Sequence, residues 1–297
     1  MGQYLGVFFT NGVVVGCIYA LIALGFNVIY STTGIINFAQ GEFVMIGAMV
    51  AAVLMAKFSF LVAFPAAVLA GCLVGAVLAG FVLIPLKRAA VLTLIIITIG
   101  ASIAIQGIAQ FLWGETAIPV PPFTGIPGEG FVEDRSFHLL GAVIRAQELW
   151  VVAVTALIVI GMTLFFRYTL IGQAMRACET NPAGARVVGM SVRRMVVLSF
   201  VMAAGLGALA GLTVSPVFYA RVNMGTALGL KGFCAAVLGG LGNFSGGIIA
   251  GIVLGIVESL TGGLLWSDYK DAVAFVILLA ILLIRPEGLL GRKADQK

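Results

Sequence analysis

The first charged side chain in this sequence is Glu42, and residues 5–30 form a long uncharged run that is apolar nearly throughout. About 20 such residues, wound as a helix, cross the hydrocarbon core of a bilayer. Further apolar runs follow at 42–56, 60–86, 92–113, 149–166, 195–219, 233–241, 246–265 and 272–284. Hydrophobic residues make up 61% of the chain and charged residues 10%, against roughly 25% charged in a soluble domain. The pattern predicts an all-α fold: a polytopic transmembrane helical bundle of about eight or nine spans, one transmembrane domain over residues 1–297. No room is left for a soluble catalytic domain.

Two places break the pattern. The polar stretch 31–40 interrupts the first run, and glycines flank the short run 233–241. Each is a candidate re-entrant or unwound piece, and irregular backbone at membrane depth survives only against protein or a watery cavity. Residues 5–30 lack the basic flank of a signal peptide, so they are read as a retained span.

Arginine and lysine near helix ends stay on the cytoplasmic side. That rule puts Lys87 and Arg88, the segment 167–194 and the tail 285–297 on one face of the membrane. The stretch 114–147 then falls outside as a loop of mixed charge, stiffened by Pro119, Pro121, Pro122 and Pro127. Lys57 is the exception, a cation on the outer side. The net charge of +5 is a topological signature rather than a nucleic-acid footprint. Cys17, Cys72 and Cys234 lie in apolar runs and Cys178 in segment 167–194, with no CxxC, so disulfides and metal clusters are not expected.

Small residues recur at four-residue spacing in Ala67, Gly71, Gly75 and Ala79, and in Gly247, Gly251 and Gly255. Such faces let membrane helices approach closely. They serve as packing seams within one subunit, or as a dimer interface. An internal repeat is suggested by residues 34–43 (GIINFAQGEF) and 225–233 (GTALGLKGF), which share only a loose pattern.

Chemistry at membrane depth requires costly polar groups, and few are present. The single histidine, His138, belongs to the 114–147 loop, and no paired-carboxylate or His-rich constellation occurs. The polar residues near spans are Asn11, Asn27, Asn37, Gln40, Glu42, Gln106, Lys231 and Glu258. Among them Asn27, Asn37, Gln40, Gly41 and Glu42 mark a translocation pathway or hinge at the first break. Glu42 also suits a helix start, where the positive end of the helix dipole favours an acid. Lys231 and Glu258 form a possible intramembrane pair, since pairing lowers the cost of burying both charges; alternatively Lys231 snorkels to a surface. Residues 239–247 (GGLGNFSGG) are glycine-rich, but no Lys-Ser/Thr follows, which excludes a phosphate cradle of the Walker type. The chain has no nucleotide site of its own.

The segment 167–194 carries five arginines and one acid, Glu179. Its middle, residues 175–188, is predicted to be one short amphipathic helix. Arg176 and Arg186 flank small Ala183, Gly184 and Ala185, a form suited to lying in a groove of a partner protein. Anionic lipid headgroups would attract the same arginines.

Four segments together resemble the permeases of branched-chain amino acid ABC importers of the LivH type: 25–48 (GFNVIYSTTGIINFAQGEFVMIGA), 172–190 (GQAMRACETNPAGARVVGM), 239–247 and 285–291 (RPEGLLG). The resemblance spans nearly the whole chain. It implies a multi-pass protein of the bacterial inner membrane that translocates leucine, isoleucine or valine. Its implied partners are a second homologous permease, two cytoplasmic ATP-binding subunits and a periplasmic substrate-binding protein, besides the amino-acid substrate and membrane lipids, with no nucleic acid. ATP is used by the partners, and this chain binds no cofactor and is not an enzyme. Segment 167–194 then resembles the coupling segment, with Arg176, Glu179, Asn181, Ala183, Ala185 and Gly189 as ATPase-coupling residues. The motif lacks the Glu-Ala-Ala opening of some other importers. Urea or short amides are alternative cargo. A different class of protein, an ion-coupled secondary transporter working alone through Glu42 or Glu258, remains open from the residues themselves.

Overall fold

The computed structural model describes residues 2–80, 90–123, 136–139, 142–264, 270–285 and 288–290. Lys87, Arg88, most of the prolines' loop and the basic tail after Leu290 lie outside the described residues. The helices are α1 (Gly2–Thr33), α2 (Gln40–Met55), α3 (Phe60–Leu78), α4 (Val91–Trp113), α5 (Ala146–Tyr168), α6 (Leu170–Thr180), α7 (Pro182–Val187), α8 (Val192–Phe218), α9 (Met224–Gly239), α10 (Phe244–Leu264) and α11 (Lys270–Ile284). A two-stranded antiparallel hairpin, β1 (Ser136–Leu139) with β2 (Ala142–Arg145), precedes α5. Six helices among the described residues are long and apolar enough to cross a membrane: α1, α3, α4, α5, α8 and α10. Three shorter apolar ones, α2, α9 and α11, complete the bundle.

Burial grades outward from α1. Its apolar window is 89% buried, that of α8 61%, and those of α5 and α4 only 17% and 11%. Phe111 on α4 and Leu157 on α5 are exposed, as side chains facing lipid would be. Apolar burial adds little inside a bilayer, so close van der Waals contact has to hold the inner helices. Glycines and alanines supply it. A Cβ on Gly251 of α10 would fall 2.6 Å from the Ala20 nitrogen on α1, and one on Gly255 would fall 2.2 Å from the Gly16 nitrogen. Gly71 and Gly75 of α3 meet Ala208 and Ala204 of α8 at 2.6 and 2.5 Å in the same sense. Both small-residue faces are therefore seams inside this subunit, not a dimer interface.

The chain contains an inverted repeat. α1, α2 and α3 are a long helix, a break, a 16-residue helix and a third helix; α8, α9 and α10 repeat that order, again with 16 residues in the middle helix. Contacts exchange accordingly, with α1 against α10 and α9 where α8 packs against α3 and α2. The C-terminal end of α1 (Thr32, Thr33) and the N-terminal end of α8 (Val192, Arg193) line one cavity, so the two long helices run in opposite directions. A pseudo-two-fold axis in the membrane plane relates the halves, an arrangement common in transporters. Gly41 matches Gly225 across this axis, not Gly34. The loose resemblance of 34–43 to 225–233 marked the right segments in the wrong register.

Two boundaries depart from the sequence expectation. The middle helix of the second repeat starts at Met224 rather than Phe233, because Gly225, Gly229 and Gly232 are contact residues and not breaks: a Cβ on each would meet Gly41 or Ile22 within 2.8 Å. And residues 175–188 are not one helix but parts of two, α6 and α7, separated at Asn181.

Candidate functional site

At the first break, Gly34 takes φ +67 and the chain turns back into the bundle. The return is deep. Gln40, at the start of α2, reaches the height of Gly25 on α1 and donates from Nε2 to the Ala203 carbonyl of α8 at 2.9 Å. Asn37 closes a local turn by accepting from the Ala39 amide, and the Phe38 amide donates to Thr98 on α4. Glu42 is 1% exposed; its Oε1 accepts from Ser102, midway along α4, at 2.9 Å. Its Oε2 faces Gly225, with the Thr226 side chain alongside. Asn37 Nδ2, Gln40 Oε1 and Glu42 Oε2 are buried without a hydrogen-bond partner among the described residues. Three such orphans clustered at one helix break set this region apart from ordinary packing, in which buried polar groups are bonded. Asn27 stands elsewhere. Its amide ties α1 to the α9–α10 turn, donating to the Asn243 carbonyl and accepting from the Gly242 amide at 3.2 and 3.0 Å.

The structure brings Lys231 and Glu258 together. Lys231 Nζ donates to Glu258 Oε1 at 2.6 Å, and Tyr19 Oη donates to Glu258 Oε2 at 2.8 Å. The ammonium also lies 5.7 Å from the centroid of the Tyr19 ring. One helix from the first repeat and two from the second are thus pinned by a buried ion pair, and Lys231 does not snorkel. Sequence reasoning missed Tyr19. It sits inside the first apolar run, with no charged residue near it in sequence to draw attention to its phenol.

Segment 167–194 folds into a two-helix platform against the end of the bundle. Thr169 caps α6 by accepting from the Gly172 amide at 3.0 Å. Gly172, Met175 and Cys178 form its buried stripe. A Cβ on Gly172 would fall 2.6 Å from the Phe165 carbonyl, and Arg176 donates to the Phe166 carbonyl at 2.6 Å, so α6 is bound to the end of α5. Pro182 disfavours helix at the residue before it. Asn181 accordingly leaves α6 at φ −150 and caps α7, its Oδ1 accepting from the Gly184 amide at 2.8 Å. α7 then ends in a Schellman turn: Gly189, at φ +86, donates to the Arg186 carbonyl and Met190 to the Ala185 carbonyl.

The residues singled out in this segment therefore separate. Asn181 and Gly189 shape the backbone, Ala185 is buried at 5% exposure, and Arg176 and Ala183 face outward. Beside them Val187 and Val188 are 88% and 75% exposed, an apolar pair that the basic character of the segment concealed. Glu179 lines a cavity of about 940 Å³ with Ser31, Arg167, Arg176, Gly242 and Asn243. Burial pushes its carboxyl above the ordinary carboxylate range. Burial also pushes the Cys178 thiol up, with Arg186 pulling the other way.

An inverted repeat of membrane helices whose two short middle helices meet inside the bundle, at Gly41 and Gly225, is the architecture of a polytopic transport permease. Comparison with known proteins narrows the class: residues 8–282 match the family described as branched-chain amino acid transport system, permease component, and the chain belongs to that family. It is a multi-pass inner-membrane protein and a permease subunit of an ABC-type transporter. It is 34% identical to the high-affinity branched-chain amino acid transport system permease protein LivH of Escherichia coli (strain K12), over 97% of this chain and 96% of that protein. The corresponding permease BraD of Pseudomonas aeruginosa is also 34% identical, over the same shares. A probable branched-chain amino acid transport permease protein LivH from Methanocaldococcus jannaschii is 29% identical over 91% of this chain and 88% of its own length.

Proposed function

We propose that this chain moves leucine, isoleucine or valine across the inner membrane, driven by ATP that two partner subunits hydrolyse, together with a second permease and a substrate-binding protein outside. The curated relatives are named for branched-chain amino acids. The observation that carries the energy-coupling part is the outward face of α6 and α7. The buried stripe of α6 turns toward the bundle, and Ala183, Val187 and Val188 are exposed, in a stretch of sequence that carries Arg176 and Arg186, both exposed as well. A helix lying on lipid would bury its apolar residues toward the bilayer. On our reading their exposed face turns to the aqueous side, where an ATPase groove would cover them.

The test is reconstitution of the complete importer with Val187→Asp/Val188→Asp. Two exposed positions accept carboxylates without disturbing the fold, so the variant permease should purify normally yet fail to retain the ATPase and to drive leucine uptake. Unchanged association and uptake would mean that the docking face lies elsewhere. One observation favours the ion-coupled alternative: Glu42 is buried with an unpartnered oxygen. Uptake by the purified chain alone, under a pH gradient without ATP, would support it; silence there and ATP-dependent uptake by the complex support the ABC reading. Uptake of urea in preference to leucine would redirect the substrate assignment.

A further inference from the structure

The two repeats diverge in the middle of their short helices. Counted from the start of each middle helix, Gly47 on α2 matches Lys231 on α9. Gly47 closes its half of the molecule: a Cβ there would fall 2.2 Å from the Ala208 carbonyl. The other half is open. Around Lys231, Glu258 and Tyr19 lies a cavity of about 640 Å³, within the roughly 300–1,000 Å³ typical of small-molecule sites. Its walls include Phe8, Val15, Ile18, Phe218, Met224 and Leu228. It lies toward the end of the bundle opposite segment 167–194, and Arg221 and Asn223 of the α8–α9 connection also line it. So does Tyr219, held at φ 60, a backbone strain that a bulky residue keeps only where surrounding structure imposes it.

We propose that this cavity is a transit site for a zwitterionic amino acid with an apolar side chain, a role that rests on the transport function proposed above. The buried ion pair supplies the selectivity. A zwitterion can insert between Lys231 and Glu258, its carboxylate taking the lysine and its ammonium the glutamate, so that every buried charge keeps an opposite charge. A lone amine or a lone acid separates the pair while replacing only one of its two charges, which is costly, and a neutral molecule cannot replace either partner. The apolar walls receive the side chain. No covalent step is involved. A zwitterionic lipid headgroup presents the same pair of charges, so the experiment has to separate free substrate from lipid.

The complete importer, without binding protein or ATP, is placed in nanodiscs of phosphatidylglycerol and, separately, of phosphatidylethanolamine, and radiolabelled leucine binding is measured. Saturable binding is expected in phosphatidylglycerol, with isoamylamine and 4-methylpentanoate each competing at least about tenfold less well, a difference of about 1.4 kcal/mol. Lys231→Met/Glu258→Leu should fold, since it removes both charges together, and should lose at least about tenfold in affinity. The charge-reversed pair Lys231→Glu/Glu258→Lys should regain binding, an effect that a purely structural ion pair would not produce. The proposal is overturned by equal leucine affinity in the neutral double variant, by an amine competing as well as leucine, or by protection from phosphatidylethanolamine with no leucine binding in either lipid. Wild-type uptake is measured in parallel with the binding protein present. If leucine is imported but does not bind here, this site alone is wrong; if no branched-chain amino acid is imported, the proposed function is wrong whatever the cavity binds.

Discussion

Gly41 and Gly225 meet backbone to backbone: a Cβ on Gly41 would fall 2.2 Å from the Gly225 carbonyl oxygen, and one on Gly225 would fall 2.7 Å from that of Gly41. The contact is reciprocal because these residues begin the two short helices on either side of the pseudo-two-fold axis. Neither backbone can retreat without moving its helix. Gly41→Val or Gly225→Val should therefore lower the unfolding temperature of the solubilised protein sharply, by the equivalent of about 1–3 kcal/mol or more for an overpacked interior. Gly100→Ala and Gly161→Ala are the controls. Nothing lies within 4 Å of a Cβ at either position, so both should unfold close to wild type, or slightly higher from improved helix propensity.

The Lys231–Glu258 pair predicts a non-additive stability pattern. Removing one partner takes the ion-pair charge from the other while it stays buried, which costs roughly 3–5 kcal/mol, whereas replacing both with apolar groups is often nearly neutral. Lys231→Met and Glu258→Leu should each destabilise strongly alone, and the double variant should recover most of the loss in thermal unfolding. Equal, additive losses would show that the pair is solvated.

Some of this was legible in the sequence, for identifiable reasons. A span of a membrane helix announces itself by uninterrupted apolar composition, so the long helices and the break after α1 could be located, as could the candidate pair Lys231 and Glu258. The start of α9 could not. Gly225, Gly229 and Gly232 read as helix breakers in isolation, and only the approach of α1 and α2 makes them contact residues. Asn181-Pro182 did signal a helix end followed by a helix start, a local rule masked by the amphipathic pattern running through it. The partners Ser102 and Tyr19 lie 60 and 239 residues along the chain from the acids they bind, a distance that periodicity does not bridge.

Glu179 predicts a pH effect outside the membrane. Its folded carboxyl is raised above the ordinary value of 4.5 by burial, so the folded state holds the proton more tightly than the unfolded chain. The neutral form's contribution to stability is complete below the ordinary value and is lost as pH rises through the raised one. Unfolding temperatures measured from acid to neutral pH should fall less for Glu179→Gln than for wild type. Parallel curves would mean that the carboxyl is solvated in the folded state.

Asn181 separates the shape of the proposed coupling platform from its surface. Its side chain bonds the Gly184 amide and is exposed otherwise, so Asn181→Ala removes the α7 cap at a cost of about 0.5–2 kcal/mol while leaving Val187 and Val188 in place chemically. A loosened α7 should still let the complex assemble but should transmit ATPase motion poorly. The expected result is leucine uptake reduced severalfold per ATP hydrolysed in proteoliposomes. Asn181→Asp, which keeps the capping oxygen, should restore the ratio. Uptake per ATP unchanged in Asn181→Ala would mean that the order of α7 is immaterial to transport, and that coupling runs through α6 alone.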